Sequence, residues 1–178
     1  MSTREQQSFF DLGTQYYVVA RFSAFAGLTP VCGNLFHHAI EMYLKGYLSS
    51  KLKMTELKDL GHRLGKIWNR FKRDISDAEL NRFDQVILEL DKFESIRYPE
   101  RILSNGMIAL ISLKRQPHAC GSSKSKRPEP VYEIVVEEID HLVEMIFQKA
   151  SVNPKFFTNS LNSQAKAYLS KENEASLV

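Results

Sequence analysis

The sequence predicts an all-α protein, an up-and-down bundle of five to six helices. Apolar residues recur at helical spacing along most of the chain, which is the main signature of amphipathic helices. Only eight Gly and six Pro interrupt the 178 residues, too few for an all-β fold with many turns. This length suits one domain. We therefore predict a single helical domain over residues 1–170 and a frayed C-terminal tail over residues 171–178.

The first two helices are expected at the centre of the bundle. The first is predicted from Arg4 to Ala26, with Gly27 just beyond its end. The second is predicted from Thr29 to Ser50, with Thr29 as the N-cap and Pro30 as the first helical residue. The second helix is apolar on nearly every side, and the second half of the first helix is apolar almost all round except for Arg21 and Ser23. This is typical of helices buried by their neighbours.

The remaining helices follow from apolar spacing and capping signals. Ser76 and Glu79 have the spacing of a capping box and indicate a helix start. The proline after Tyr98 disfavours helix at the preceding residue, so the chain is expected to turn extended there. A small β-hairpin is predicted within residues 107–134, pairing residues 109–113 with residues 131–134. The other predicted helices are 60–71, 76–93, 135–150 and 155–169.

A narrow polar stripe runs along the second helix. On a helical wheel of about 100° per residue, four polar residues fall within about 60° of one another and a fifth lies beside them. Because buried polar groups need partners, this stripe is the first candidate ligand-binding surface. Its members are Asn34, His37, His38, Glu41 and Lys45.

Three more residues are candidates for ligand binding outside the stripe. His62 lies at the start of the third predicted helix. Its imidazole could act as an acid or base or help bind an anion; alternatively, it packs against the preceding helix. Arg97 and Tyr98 suit phosphate contact and base stacking, or anchor the turn. On the first helix, Arg21 lies among apolar residues and needs a carboxylate, so we predict a structural ion pair between Arg21 and Glu41.

The sequence contains no known catalytic or metal-binding motif. There is no Gly-rich phosphate loop, no nucleophile elbow and no Cys or His pair at zinc spacing. Adjacent His37 and His38 point about 100° apart on a helix, which disfavours a shared metal ion. Cys32 and Cys120 are expected as free thiols. We therefore assign no catalytic residue, no metal and no cofactor.

The net charge of +3 is too small to indicate a nucleic-acid partner by itself. Five Lys or Arg and no Asp or Glu lie between Lys114 and Pro128, a segment that reads as a solvated basic loop or a phosphate contact. No signal peptide is recognisable, and no stretch approaches the roughly 20 apolar residues of a membrane span. The protein is expected in the cytoplasm, without membrane contact.

Three segments, in order, resemble the HEPN domain, a small helical domain of prokaryotic toxin and defence systems and of some eukaryotic proteins. They are residues 34–48, the Leu-Gly-His-Arg-Leu of residues 60–64 and the Arg-Tyr-Pro of residues 97–99. The resemblance covers about Tyr16 to Pro99. It implies an up-and-down bundle that pairs as a homodimer. Many members of the family are metal-independent ribonucleases that use an Arg followed, after four to six residues, by a His.

No Arg of this chain has that spacing to a His; the nearest is Arg115, with His118. Members without the motif bind nucleotides or RNA or partner a nucleotidyltransferase. The sequence therefore favours a non-catalytic HEPN-like homodimer of a toxin–antitoxin or defence-type system that binds a nucleotide, RNA or a protein partner. The alternatives are a divergent metal-independent ribonuclease, using His38 or His62 with Arg21 or Arg97, and a purely structural or adaptor dimer.

Overall fold

A computed structural model describes residues 3–98, 100, 103–104, 106–114 and 130–175, apart from the side chain of Arg97. The all-α class is confirmed in its broad form, because these residues contain eight α-helices, two 3₁₀ segments and one small sheet. The α-helices are α1 Arg4–Phe25, α2 Val31–Ser49, α3 Met54–Asp59, α4 Leu64–Ile75, α5 Asp84–Lys92, α6 Val136–Ala150, α7 Lys155–Thr158 and α8 Ser163–Ser170. The 3₁₀ segments are Ala78–Phe83 and Phe93–Arg97, and the strands are β1 Ile108–Ser112 and β2 Val131–Val135.

Helices α1 and α2 form a tightly packed antiparallel hairpin, with α2 at the centre of the bundle. Gly46 lies against Phe10, near the beginning of α1, whereas Phe36 contacts Tyr17, further along α1. The Thr3 side chain caps α1 by accepting a hydrogen bond from the backbone N–H of Gln6. Helix α2 is also covered by α4, α5 and α6, so 13 of its 19 residues are buried. The central position is confirmed for α2, whereas α1 buries only eight of its 22 residues and lies at the side of the bundle.

The chain between α2 and α5 differs from the prediction. Residues 60–71 are not one helix, because Gly61 adopts a left-handed φ of +65° between α3 and α4. Helix α4 begins at Leu64, whose backbone N–H donates to Oδ1 of Asp91 at 2.7 Å. Ser76 ends α4 in a left-handed conformation rather than starting the next helix. The N-cap of the following 3₁₀ segment is Asp77, which accepts from the N–H of Glu79.

The predicted hairpin is wrong in its direction. Strands β1 and β2 pair in parallel, with Ile108 opposite Val131 and Ser112 opposite Val135. A two-residue turn can join only antiparallel strands, whereas a long connection allows the parallel arrangement. Residues 113–130 provide that length, and α6 follows β2 directly.

The C-terminal region packs more closely than predicted. Helix 155–169 is divided into α7 and α8, and Asn162 caps α8 by accepting from the N–H of Ala165. Residues 171–175, predicted to fray, contact the bundle: Asn173 donates to the carbonyl of Leu169 at 2.8 Å, and Ala175 is buried. Within the described residues, every helix lacks the length or the apolar content that a membrane span requires.

Candidate functional site

Glu41 lies at the centre of the polar stripe and is fully buried. Its Oε1 accepts from Nζ of Lys45 at 2.7 Å and lies 3.0 Å from Nδ1 of His62. Its Oε2 lies 3.7 Å from Nε2 of His37 and 3.7 Å from Nδ1 of His38. We call these five residues the Glu41 cluster. The structure thus brings four predicted stripe residues together with His62 from the start of α4.

Glu41 is held in its ionised form. Burial alone would raise the pKa of its carboxyl group, but the His38 imidazole and the Lys45 ammonium outweigh this effect, with a further contribution from His62. Together they lower the pKa of Glu41 to about 2. A fixed negative charge therefore lies in the interior, surrounded by three imidazoles and one ammonium group.

His37 is the most deeply buried imidazole of the cluster. Burial lowers its pKa, against the opposing influence of the Leu90 carbonyl, Glu41 and Glu94. Its Nδ1 lies 3.1 Å from the carbonyl oxygen of Leu90, so in the neutral ring Nδ1–H donates to that oxygen. The lone pair of Nε2 then points toward the carboxylates of Glu41 and Glu94, at 3.7 and 3.6 Å.

His62 connects the cluster to the surface. Its side chain is 63% exposed, whereas Glu41 is fully buried. Gly61 and the Asp91 cap on Leu64 fix the backbone on either side of this residue. The bond from Nδ1 to Glu41 directs the ring, so Nε2 is the nitrogen left for contacts outside the cluster. A carboxylate–imidazole pair of this kind can position a hydrogen-bond donor or an acid–base group.

The other predicted site residues do not join the cluster. Asn34 donates from Nδ2 to the carbonyl of Phe93 at 3.2 Å and so holds the second 3₁₀ segment against α2. Tyr98 is exposed. The side chain of Arg97 and the basic loop of residues 115–129 lie outside the described residues.

The predicted ion pair between Arg21 and Glu41 is wrong. Arg21 pairs instead with Asp140 of α6, which also accepts a hydrogen bond from the hydroxyl of Tyr17. The remaining guanidinium N–H groups donate to the backbone carbonyls of Tyr168, at 2.9 Å from Nε, and Lys171. Arg21 is thus a structural residue, fully buried and satisfied by three acceptors.

The helical wheel does not fix the distance between the ring nitrogens of His37 and His38. A helical wheel gives the directions of the Cβ atoms, whereas rotation of the rings moves the nitrogens. Nε2 of His37 and Nδ1 of His38 each lie 3.7 Å from Oε2 of Glu41. One nitrogen of each ring and one oxygen of Glu41 lie within 4.8 Å of one another.

Sequence reasoning missed a row of basic residues on α4. Arg63, at the N-cap, and Lys66, Arg70 and Arg73 follow one another at intervals of three or four residues, which places them on one side of the helix. We call these four residues the basic face. Arg70 is partly exposed and the other three are exposed. The helical wheel that found the α2 stripe could have found most of this face, because the predicted helix 60–71 leaves out only Arg73.

The charge of the molecule is concentrated around this face. Residues 50–75 contain eight Lys or Arg and three Asp or Glu, a net charge of +5. Since the whole chain carries +3, the rest of the chain carries −2.

Comparison with family models, with curated proteins and with solved structures finds no match for the chain.

Proposed function

We propose that the chain is a HEPN-like, non-catalytic cytoplasmic domain that binds RNA or a nucleotide through the basic face of α4 and the neighbouring His62. One observation carries this proposal: the segment with a net charge of +5 also contains His62, whose orientation is fixed by the buried charge of Glu41. Phosphate groups are the ligands that clustered Lys and Arg side chains favour. The resemblance to HEPN members that lack the ribonuclease motif supports the same proposal.

The basic face has dimensions suited to a strand of nucleic acid. Arg63 and Arg73 are ten residues apart, which corresponds to about 15 Å along a helix. Arg63 and Arg73 have no carboxylate partner among the described ion pairs, and Lys66 donates to the backbone carbonyl of Asp59. Their charges are therefore available to successive phosphates. His62 would add a directed hydrogen-bond donor at one end of the row.

Fluorescence anisotropy with a labelled single-stranded RNA of about ten nucleotides tests the proposal directly. We expect binding that weakens as salt rises, because each phosphate contact releases condensed counterions and contributes about −0.7 to the slope of log K against log salt. Titration with single nucleotides in place of RNA separates the two ligand classes. Absence of binding to both at low salt would contradict the proposal.

The pairing of His62 with Glu41 also favours a second candidate, a divergent metal-independent ribonuclease in which His62 moves a proton. Arg21 no longer belongs to this hypothesis, because its N–H groups are directed to Asp140 and to two backbone carbonyls. Incubation of RNA with wild type, His62→Ala and His141→Ala tests it. Cleavage lost only in His62→Ala would support the enzyme, and equal cleavage by all three would remove His62 from the mechanism.

A homodimer is part of the proposal. Exposed apolar side chains on and just after α1, including Leu12, Val19 and Leu28, supply a surface suited to a second copy. Light scattering coupled to gel filtration measures the mass in solution; a mass of one chain at micromolar concentration would contradict the dimer.

Two further parts of the proposal, a nucleotidyltransferase-type partner and a toxin–antitoxin or defence role, rest on the family resemblance. If neither RNA nor nucleotides bind, the chain is an adaptor dimer without ligand.

A further inference from the structure

Two buried atoms of the Glu41 cluster have no hydrogen-bond partner in the part of the chain that the structure describes. They are Nε2 of His37 and Oε2 of Glu41, which face each other at 3.7 Å, and both side chains are fully buried. A buried polar atom without a partner costs free energy, so its retention needs an explanation. A cation between these two lone-pair donors would satisfy both.

The third donor comes from His38. Its Nδ1 lies 3.7 Å from the same Oε2. One nitrogen of His37, one nitrogen of His38 and one oxygen of Glu41 lie within 4.8 Å of one another. Zinc binds imidazole nitrogen and carboxylate oxygen at about 2.0–2.1 Å, which places two ligands of a tetrahedron about 3.3 Å apart. The two sides from the histidines to Glu41, at 3.7 Å, therefore need to close by about 0.4 Å, and the side between the two imidazole nitrogens by up to about 1.5 Å.

The hydrogen-bond partners of His37 and Glu41 orient these two side chains as a metal site requires. The Leu90 carbonyl takes Nδ1–H of His37 and leaves Nε2 with its lone pair toward Glu41. Lys45 and His62 both bind Oε1 of Glu41, so Oε2 is the oxygen that remains for the cluster. Such outer contacts are a regular feature of metal-binding histidines and carboxylates, and they fix ring orientation and tautomer.

The cluster also has a route to the surface. The side chain of His38 is 18% exposed, and its ring lies beside that of Tyr16. An ion could enter from this side without crossing the apolar core. Three protein ligands would leave one tetrahedral position for a water molecule or a ligand atom, as in zinc sites with an open position.

We propose that Nε2 of His37, Nδ1 of His38 and Oε2 of Glu41 bind one transition-metal ion of the Zn²⁺ class. Two imidazoles and one carboxylate suit Zn²⁺, Co²⁺ and Ni²⁺ better than Mg²⁺ or Ca²⁺, which prefer sets of oxygen ligands. The metal site uses no residue of the basic face, but it shares Glu41 with the RNA-binding proposal, in which the other oxygen of this carboxylate, Oε1, orients His62.

The test is isothermal titration of chelator-treated protein without a polyhistidine tag, using Zn²⁺ alone. We expect one ion per chain in wild type. His38→Ala, chosen because His38 is partly exposed, should weaken binding at least about tenfold, since even outer-shell changes at metal sites cost this much. His141→Ala is the matched control: His141 and Glu144 have the same i, i+3 spacing as His38 and Glu41, with Nδ1 3.8 Å from the carboxylate, and lie at the surface.

Cobalt substitution separates this site from cysteine binding. We expect Co²⁺ absorption bands of a tetrahedral nitrogen–oxygen site without sulfur-to-metal charge transfer, lost in His38→Ala and kept in His141→Ala. Glu41→Gln, checked for folding by circular dichroism, should also remove the bands. No Zn²⁺ binding by folded wild type at about 100 µM, or equal binding by His38→Ala and His141→Ala, would overturn the proposal.

Discussion

Arg21 and Asp140 form a buried ion pair that joins the first long helix of the chain to α6. The guanidinium group also donates to the carbonyls of Tyr168 and Lys171 at the end of α8. Burial raises the pKa of Asp140, and the Arg21 charge opposes this effect. A single side chain thus connects α1, α6 and α8 in the interior of the bundle.

Loss of Asp140 should destabilise the fold strongly. Asp140→Ala leaves the guanidinium group of Arg21 buried without its counter-charge, and we expect a loss of about 3–5 kcal/mol in the free energy of unfolding. Urea unfolding measures it. Lys149→Ala, which removes only the surface pair with Asp77, is the control and should cause a far smaller loss. Equal losses in both variants would contradict the structural role of Arg21.

A methyl group at Gly46 should also destabilise the protein. The Cβ of an Ala there would lie 2.7 Å from the Phe10 ring, so this buried ring or the helix pair would have to shift. Overpacking costs about 1–3 kcal/mol, more than the gain of up to about 1 kcal/mol in helix propensity. Gly65→Ala in α4 is the comparison, because its Cβ would meet only Asp91 Oδ2, at 3.6 Å. The thermal midpoint should fall for Gly46→Ala and stay level or rise for Gly65→Ala; the reverse order would refute this packing.

Cys32 should react slowly with thiol reagents. Burial raises its pKa to about 12, so at pH 8 only about one thiol in ten thousand is ionised, compared with about one in ten for a free cysteine. In a Cys120→Ser background, the rate of reaction with Ellman's reagent should therefore rise at least about a hundredfold when urea unfolds the chain. A native rate similar to the unfolded rate would show that Cys32 is accessible.

The bond between Tyr47 and Asp74 predicts a pH-dependent stability. The hydrogen bond from the Tyr47 hydroxyl lowers the pKa of Asp74 below its ordinary value of 3.8. Because the folded pKa is the lower one, the stabilisation is complete above about pH 5 and is lost as the pH falls through the folded value. Tyr47→Phe should thus be less stable than wild type at pH 7, and the difference should shrink below pH 4. A difference that stayed constant down to pH 3 would contradict the assignment.

The sequence predicts the local features of this structure better than the contacts between distant segments. Apolar periodicity locates α1, α2 and α6, because a helix with one buried face has a local signature. The α2 stripe is found for the same reason. The predicted cap of α2 is wrong, since the helix begins at Val31 and its N-cap is Pro30, not Thr29. Ser76 shows the limit: its spacing to Glu79 suits a capping box, yet the residue ends α4 instead.

The contacts between residues far apart in the sequence were predicted least well. Arg21 needs a carboxylate, but the sequence does not say which helix provides it, and Asp140 is 119 residues away. A local signal did exist, since Asp140 lies between Ile139 and Val143 on the buried side of α6. The ring nitrogens of His37 and His38 lie closer together than the helical wheel suggests, because rotation of the rings moves the nitrogens.

Charge reversal on the basic face tests the central claim most directly. The double variant Arg63→Glu/Lys66→Glu is compared with Lys155→Glu/Lys166→Glu, which makes the same change in net charge on α7 and α8. The pairs are matched, because Lys66 and Lys166 each donate to a backbone carbonyl seven residues earlier.

The measurement is the dissociation constant for single-stranded RNA over a range of salt concentrations. We predict that Arg63→Glu/Lys66→Glu weakens binding at least about tenfold and lowers the salt slope by about 1.4, the value for two lost phosphate contacts. The control variant should bind nearly as wild type does. Equal weakening in both variants would mean that RNA responds only to net charge, and would contradict the placement of the binding site on α4.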